Sequence, residues 1–217
     1  MLLHADLTLP ALVESAALPW VPSPMAGVER RMLERDGDEV ARATSVVRYA
    51  PGSKFSPHSH GAGEEFLVLD GVFSDETGDF PAGWYVRNPP GSRHTPSSAP
   101  GAVIFVKLRQ MPPQDDTLLR CDTRGPALWR QSGDGCGEAV LFSAAWEEAA
   151  MRRLSAGHAG GVETWPRGAE YFVVDGDVTI DGAAHPAGTW LRIPSGARVT
   201  LGSRTGALVY RKTGHLG

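Results

Sequence analysis

His58 and His60 stand one residue apart, an acidic pair follows at Glu64 and Glu65, and a further histidine, His94, closes the corner "NPPGSRH". Alternate side chains of a strand point to the same face, so His58 and His60 can present two imidazoles to one point. The stretch "GAG" before Glu64 is a flexible turn that can fold the next segment back and bring a carboxylate beside them. Imidazole nitrogens and carboxylate oxygens suit zinc, Fe(II), Mn(II) and Ni(II), and ligand type alone does not separate these ions. Each piece taken singly is ordinary, since a lone histidine at a strand end is commonly solvated and a Pro-Gly corner is a turn. The joint spacing favours a metal site: Gly52, His58, His60, Glu64 and Gly71, then Gly83, Pro89, Gly91 and His94.

The elements that must position these residues are short. The 26 Gly and 17 Pro are spread along 217 residues, and the segments between them are rich in Val, Leu, Phe and Tyr. Such punctuation predicts an all-β protein with little helix. In the first half "ATSVVRYA", "EEFLVLDGVF", "GWYVRN" and "AVIFVKLRQ" read as strands. The best helical candidate, "SAAWEEAAMRRLSAG" from Ser143, aligns with strand-like sequence in the first half, so a strand is expected there too.

That alignment comes from an internal repeat. An offset of 105 residues places positions 45 to 107 on 150 to 212 without gaps. Gly52 meets Gly157, Glu65 meets Glu170, Asp70 and Gly71 meet Asp175 and Gly176, and "PAG" at Pro81 meets "PAG" at Pro186. Shared Gly and Pro positions mean shared turns, because these residues fix where the backbone takes positive or locked φ. The expected organisation is a first domain over 1–112, a linker over 113–126 that includes most of the polar, Pro-containing "MPPQDDTLL", and a second domain over 127–217. At the same offset His58, His60, Glu64 and His94 become Glu163, Trp165, Ala169 and Val199, so the second half keeps the fold and loses every candidate ligand. Glu65 persists as Glu170, which assigns it a structural role and favours Glu64 as the carboxylate at the site.

With these motifs the chain resembles the cupin superfamily, whose double-stranded β-barrel gathers three His and one Glu around a metal. The resemblance implies a tandem bicupin in which the first barrel holds one divalent metal on His58, His60, Glu64 and His94, with zinc the first choice and Fe(II), Mn(II) or Ni(II) also suited. The second motif of the superfamily usually ends in Asn where this chain has Ser98, which is not a ligand position. "GVFSDETGDFPAGWYVRNPPGSRHTP" is similar to the cupin branch of ChrR-type anti-sigma factors, and acetylacetone-cleaving dioxygenases are related. The leading expectation is therefore a metal-binding, ChrR-like protein with a regulatory or stress-sensing role and a regulatory protein partner. The alternative is a metal-dependent dioxygenase acting on a small oxygenated ligand of the first barrel, such as a β-diketone. A storage-type or sugar-binding cupin comes third. A full anti-sigma factor also has a zinc-binding helical domain, and only His4 precedes residue 58 here, so direct sigma-factor sequestration is not expected of these residues.

Composition narrows the remaining classes. The formal charge is −4, with 21 basic and 25 acidic residues and no basic stripe to neutralise phosphates, so nucleic acid is not an expected partner. No apolar run is long enough to span a bilayer, and the first residues lack a basic leader, so a cytoplasmic protein without membrane contact is expected. Two cysteines, Cys121 and Cys136, are too few for a disulfide framework and are read as bystanders.

Overall fold

The computed structural model describes residues 1–38 and 40–216. The described residues are nearly all β, with two short 3-10 turns at Ser15–Ala17 and Pro126–Leu128. Among the described residues no helix is long and apolar enough to cross a membrane. The segment with helix-like composition is indeed extended over Glu148–Leu154, and its first residue ends the neighbouring strand Gly137–Ser143. Each is paired on both sides, and ladder pairing with burial overrides the Ala and Glu propensities.

The chain divides into two compact units, Met1–Ala5 with Leu18–Arg124, and Asp6–Ala17 with Gly125–Gly217. In the first, the main path of antiparallel strands runs Leu2–Leu3, Val28–Asp36, Arg42–Tyr49, Ala102–Leu108, Glu64–Asp75, Trp84–Asn88, Leu119–Asp122. In the second it runs Arg130–Gln131, Gly137–Ser143, Glu148–Leu154, Ala207–Thr213, Ala169–Ile180, Thr189–Ile193, Ala11–Glu14. The central strands of the two paths keep the 105-residue offset, down to the register shift between Val103 and Ile104 that recurs between Leu208 and Val209.

These paths correct the expected boundaries. Residues 119–122, placed in the linker, pair with Trp84–Arg87 as the edge strand of the first unit. Residues 11–14, placed in the first domain, pair with Thr189–Arg192 as the corresponding edge of the second. Each edge is thus supplied by the segment that precedes the other unit in the chain. An edge strand leaves a row of backbone N–H and C=O groups open, and these segments satisfy it.

The shared glycines are steric requirements. Gly71 and Gly176 have φ of 70° and 77°, and a Cβ at either would lie 2.0 Å from a carbonyl oxygen, of Gly101 and Gly206 respectively. Each unit has its own apolar core. One is built on Phe66, Val68, Phe73, Val86, Ile104 and Val106, the other on Tyr171, Val173, Leu191, Val199, Leu201 and Val209. Full burial of a side chain of this size stabilises by about 1.5–3 kcal/mol, so each core far outweighs any single polar contact.

Candidate metal centre

The structure brings the three histidines together. The strand His58–Ser59 pairs antiparallel with Arg93–His94, and the register sets His58 opposite His94. The regular strand ends at Ser59, yet His60 is locked in place by its backbone: its N–H donates to the Ser92 carbonyl at 2.9 Å and its carbonyl accepts from Gly91 at 2.8 Å. Ring centroids lie 5.0 Å apart for His58 and His60, 4.9 Å for His58 and His94, and 4.7 Å for His60 and His94. One ring nitrogen from each lies within 4.8 Å of the others. Glu64, the first residue of its strand, completes the cluster, with Oε2 3.5 Å from His60 Nε2 and 3.6 Å from His94 Nε2.

The donor set fits a metal ion. His60 and His94 are buried, and the Nε2 atom of each lacks a hydrogen-bond partner. An unpaired buried ring nitrogen costs free energy that coordination would recover. Ligands at about 2.0–2.2 Å from one ion sit about 3–3.5 Å from each other, close to the Glu64 to histidine separations. Burial pushes the His60 pKa down, which the Glu64 charge opposes and His94 and His58 reinforce, so its imidazole favours the neutral, metal-binding form.

Surrounding groups hold the donors in orientation. His94 Nδ1 lies 3.3 Å from Asp75 Oδ2, so Asp75 can hold the tautomer that turns Nε2 toward Glu64. Burial raises the Asp75 pKa, but hydrogen bonds from His94 and Thr77 and the Arg120 charge outweigh it and bring it to about 2. Asn88 Nδ2 donates to Glu64 Oε2 at 3.0 Å. Arg120 joins these two arms, donating to Asn88 Oδ1 at 2.8 Å and lying 3.8 Å from Asp75 Oδ2. His58 Nδ1 contacts the Ser56 carbonyl at 3.3 Å.

Glu65 takes the opposite face of its strand, where it accepts hydrogen bonds from Tyr85 Oη at 2.6 Å and Arg87 at 2.9 Å, and Arg87 also bonds Asp115. Ser98 donates to the Val72 carbonyl at 2.6 Å. Sequence reasoning missed Asp75, Asn88 and Arg120. The repeat carried a signal for two of them: at the offset of 105, Asp75 and Asn88 become Ile180 and Ile193, turning apolar where the ligands vanish. Arg120 gave no such signal, because its strand fell in the presumed linker.

A cleft of about 330 Å³ opens beside the centre, and His58, His60 and Glu64 form part of its wall. Val28, Val47, Phe55 and Leu108 line it with apolar surface, and Arg30 and Arg109 add positive charge. Arg109 holds a left-handed backbone, with φ of 59°, fixed by its N–H bond to the Gly63 carbonyl at 2.9 Å.

Residues 9–112 match the family model described as the ChrR cupin-like domain. No curated protein sequence matches the chain. Among solved structures, a candidate dioxygenase from Nostoc punctiforme superposes with a TM-score of 0.76 at 14% identity, covering 94% of this chain and 82% of that one. The Ylba protein of E. coli gives 0.74 at 15% identity over 96% and 92% of the two chains. The pirin YhhW of Escherichia coli, in complex with nickel(II), gives 0.69 at 14% identity over 94% and 98%. At these identities the likeness is one of fold.

Proposed function

We propose, for a chain that is a cupin and whose residues 9–112 belong to the ChrR cupin-like family, that it binds one divalent transition metal on His58, His60, Glu64 and His94 and acts on a small oxygenated molecule. The observation that carries this reading is the cleft, because a molecule entering it meets three of the four donors directly. A volume of about 330 Å³ with mainly apolar walls and a few charged groups is ordinary for a small-ligand site. The Arg30 and Arg109 charges suit an anion with an apolar body, such as the enolate of a β-diketone. A bound ion would supply Lewis acidity and, as iron, redox chemistry toward dioxygen.

The chain's own residues do the positioning. Asp75 fixes His94, Asn88 fixes Glu64, and Arg120 ties both to the edge strand. Zinc remains the first choice by donor type. Fe(II) is the ion the dioxygenase reading requires, Mn(II) and Ni(II) suit the same donors, and the nickel(II) complex of the pirin is a precedent for this fold.

The match to the ChrR cupin-like family favours a second reading, a regulatory metal site read by a protein partner. The two free cysteines accord with a cytoplasmic setting for either role. Incubating iron-loaded protein with β-diketones while following dissolved oxygen separates the two. Uptake that depends on the metal and disappears in His94→Ala supports the chemical reading. Stoichiometric metal binding without turnover of any diketone overturns it and leaves the regulatory one.

A further inference from the structure

The second unit lacks every counterpart of the first unit's donors, yet it gathers a different set at another place. Asp134, Cys136 and His158 each offer one ligand atom, and these atoms lie within 4.8 Å of one another. Cys136 Sγ is 3.3 Å from His158 Nδ1, and the same nitrogen is 3.5 Å from Asp134 Oδ2. A tetrahedral ion with a sulfur ligand at about 2.3 Å and a nitrogen ligand at about 2.0 Å holds those two atoms about 3.5 Å apart, and nitrogen and oxygen ligands slightly closer. Both observed separations are near these values.

The surroundings prepare each donor. The Ser155 N–H donates to Cys136 Sγ at 3.4 Å, the kind of bond that stabilises a thiolate. Asp134 Oδ1 is taken up by its own turn, accepting from the Cys136 N–H at 3.1 Å and from the Ser132 hydroxyl, which leaves Oδ2 toward His158. The side-chain bond from Ser132, the Cys136 N–H and the other bonds of the turn outweigh burial and hold the Asp134 carboxyl down at about 2, so it is an anion at neutral pH. Cys136 is buried, while His158 and Asp134 reach an open cleft of about 330 Å³ that gives ions and water access. Arg130, Arg152 and Arg153 also line this cleft, with Arg152 held by Glu163 at 2.6 Å, Arg153 over the Trp129 ring at 4.2 Å, and Glu138 adding negative charge to the same wall.

The geometry points to a second metal site in the half that lost the first: Cys136, His158 and Asp134 bind one zinc-class divalent ion, with water from the cleft as the remaining ligand. Binding releases the Cys136 thiol proton to solvent, and the ion takes the thiolate, the imidazole Nδ1 and the carboxylate Oδ2. A sulfur, nitrogen and oxygen set selects zinc, cobalt or copper over magnesium and calcium.

Cobalt(II) titration of the full chain, without an affinity tag, tests this directly. Only the proposed second site contains sulfur, so only it can give a sulfur-to-cobalt charge-transfer band. The band is expected in the wild-type protein, in His94→Ala and in Cys121→Ser, and its loss is expected in Cys136→Ser. Should Cys136→Ser fail to fold, Asp134→Asn on the exposed turn is expected to weaken cobalt binding at the band about tenfold or more, with His158→Gln doing the same. No band, a band that persists in Cys136→Ser, one that needs a large excess of cobalt, or one unchanged in Asp134→Asn overturns the proposal. A total of one cobalt bound per chain, with the band present, would fault the His58, His60, Glu64 and His94 centre and leave this site standing.

Discussion

At the positions corresponding to His58, His60, Glu64 and His94, the second half carries Glu163, Trp165, Ala169 and Val199. The vacated space is filled by a polar cluster. Trp165 Nε1 donates to Tyr171 Oη at 2.7 Å, Tyr171 donates to Glu163 at 2.6 Å, Arg152 pairs with the other Glu163 oxygen at 2.6 Å, and Arg211 stacks on Trp165. The Trp165, Tyr171 and Arg152 donors of that cluster each meet an acceptor, whereas in the first half the Nε2 atoms of His60 and His94 have no hydrogen-bond partner and face Glu64 at 3.5 and 3.6 Å. One fold, given two sets of residues, thus builds in one place a cluster with two buried ring nitrogens lacking hydrogen-bond partners and in the other a cluster largely bonded within itself. Scaffold and chemistry are separable within a single chain.

The comparison is broken most severely by removing the metal. With free ion at about 1,000 times its dissociation constant, binding is worth roughly 4 kcal/mol, or a melting shift on the order of 10 °C. Calorimetry of loaded protein before and after chelation is expected to show that loss in a Cys136→Ser background, and adding His94→Ala to that background is expected to abolish it. If the chelator leaves the melting of demonstrably loaded protein unchanged, the first half is as self-sufficient as the second and the contrast fails.

Adjacent carboxylates sharpen it next. Glu65→Ala leaves buried Arg87 short of a partner and is expected to cost about 3 kcal/mol in urea unfolding while metal content stays the same. Glu64→Gln is expected to do the reverse, losing metal while changing the stability of the metal-free protein little. In the second half Glu163→Ala strips Arg152 and Tyr171 of their shared acceptor, and a loss of about 2 kcal/mol is expected without any effect on the first half's metal.

Smaller effects follow from the supporting residues. Arg120→Met keeps side-chain bulk over the Phe80 ring but uncouples Asp75 from Asn88, and equilibrium dialysis is expected to show metal affinity about tenfold weaker. Unchanged affinity would mean that Asp75 and Asn88 suffice alone. Cys121→Ser, at a half-buried position among no candidate ligands, is expected to change stability by less than about 0.5 kcal/mol.

Much of this was legible in the chain itself. Strand content followed from Val, Phe and Tyr runs punctuated by Gly and Pro, because these are local preferences. The repeat followed from glycines whose positions are forced by close backbone approach, as at Gly71 and Gly176. The convergence of His58, His60, Glu64 and His94 followed from spacing that a hairpin register turns into proximity. Partners fixed by tertiary structure were hidden. Arg120 reaches Asn88 and Asp75 only because residues 119–122 add to the sheet edge instead of running free as a linker. Residues 11–14 complete the other unit's edge for the same reason, and nothing in a short polar or apolar segment states which open edge it will satisfy. Cys136 and His158 meet across 22 positions through strand pairing, so neither residue type nor spacing announced them. Composition and turns determine which strands form; register and edge pairing decide which side chains face each other, since a backbone ladder can join segments of almost any sequence.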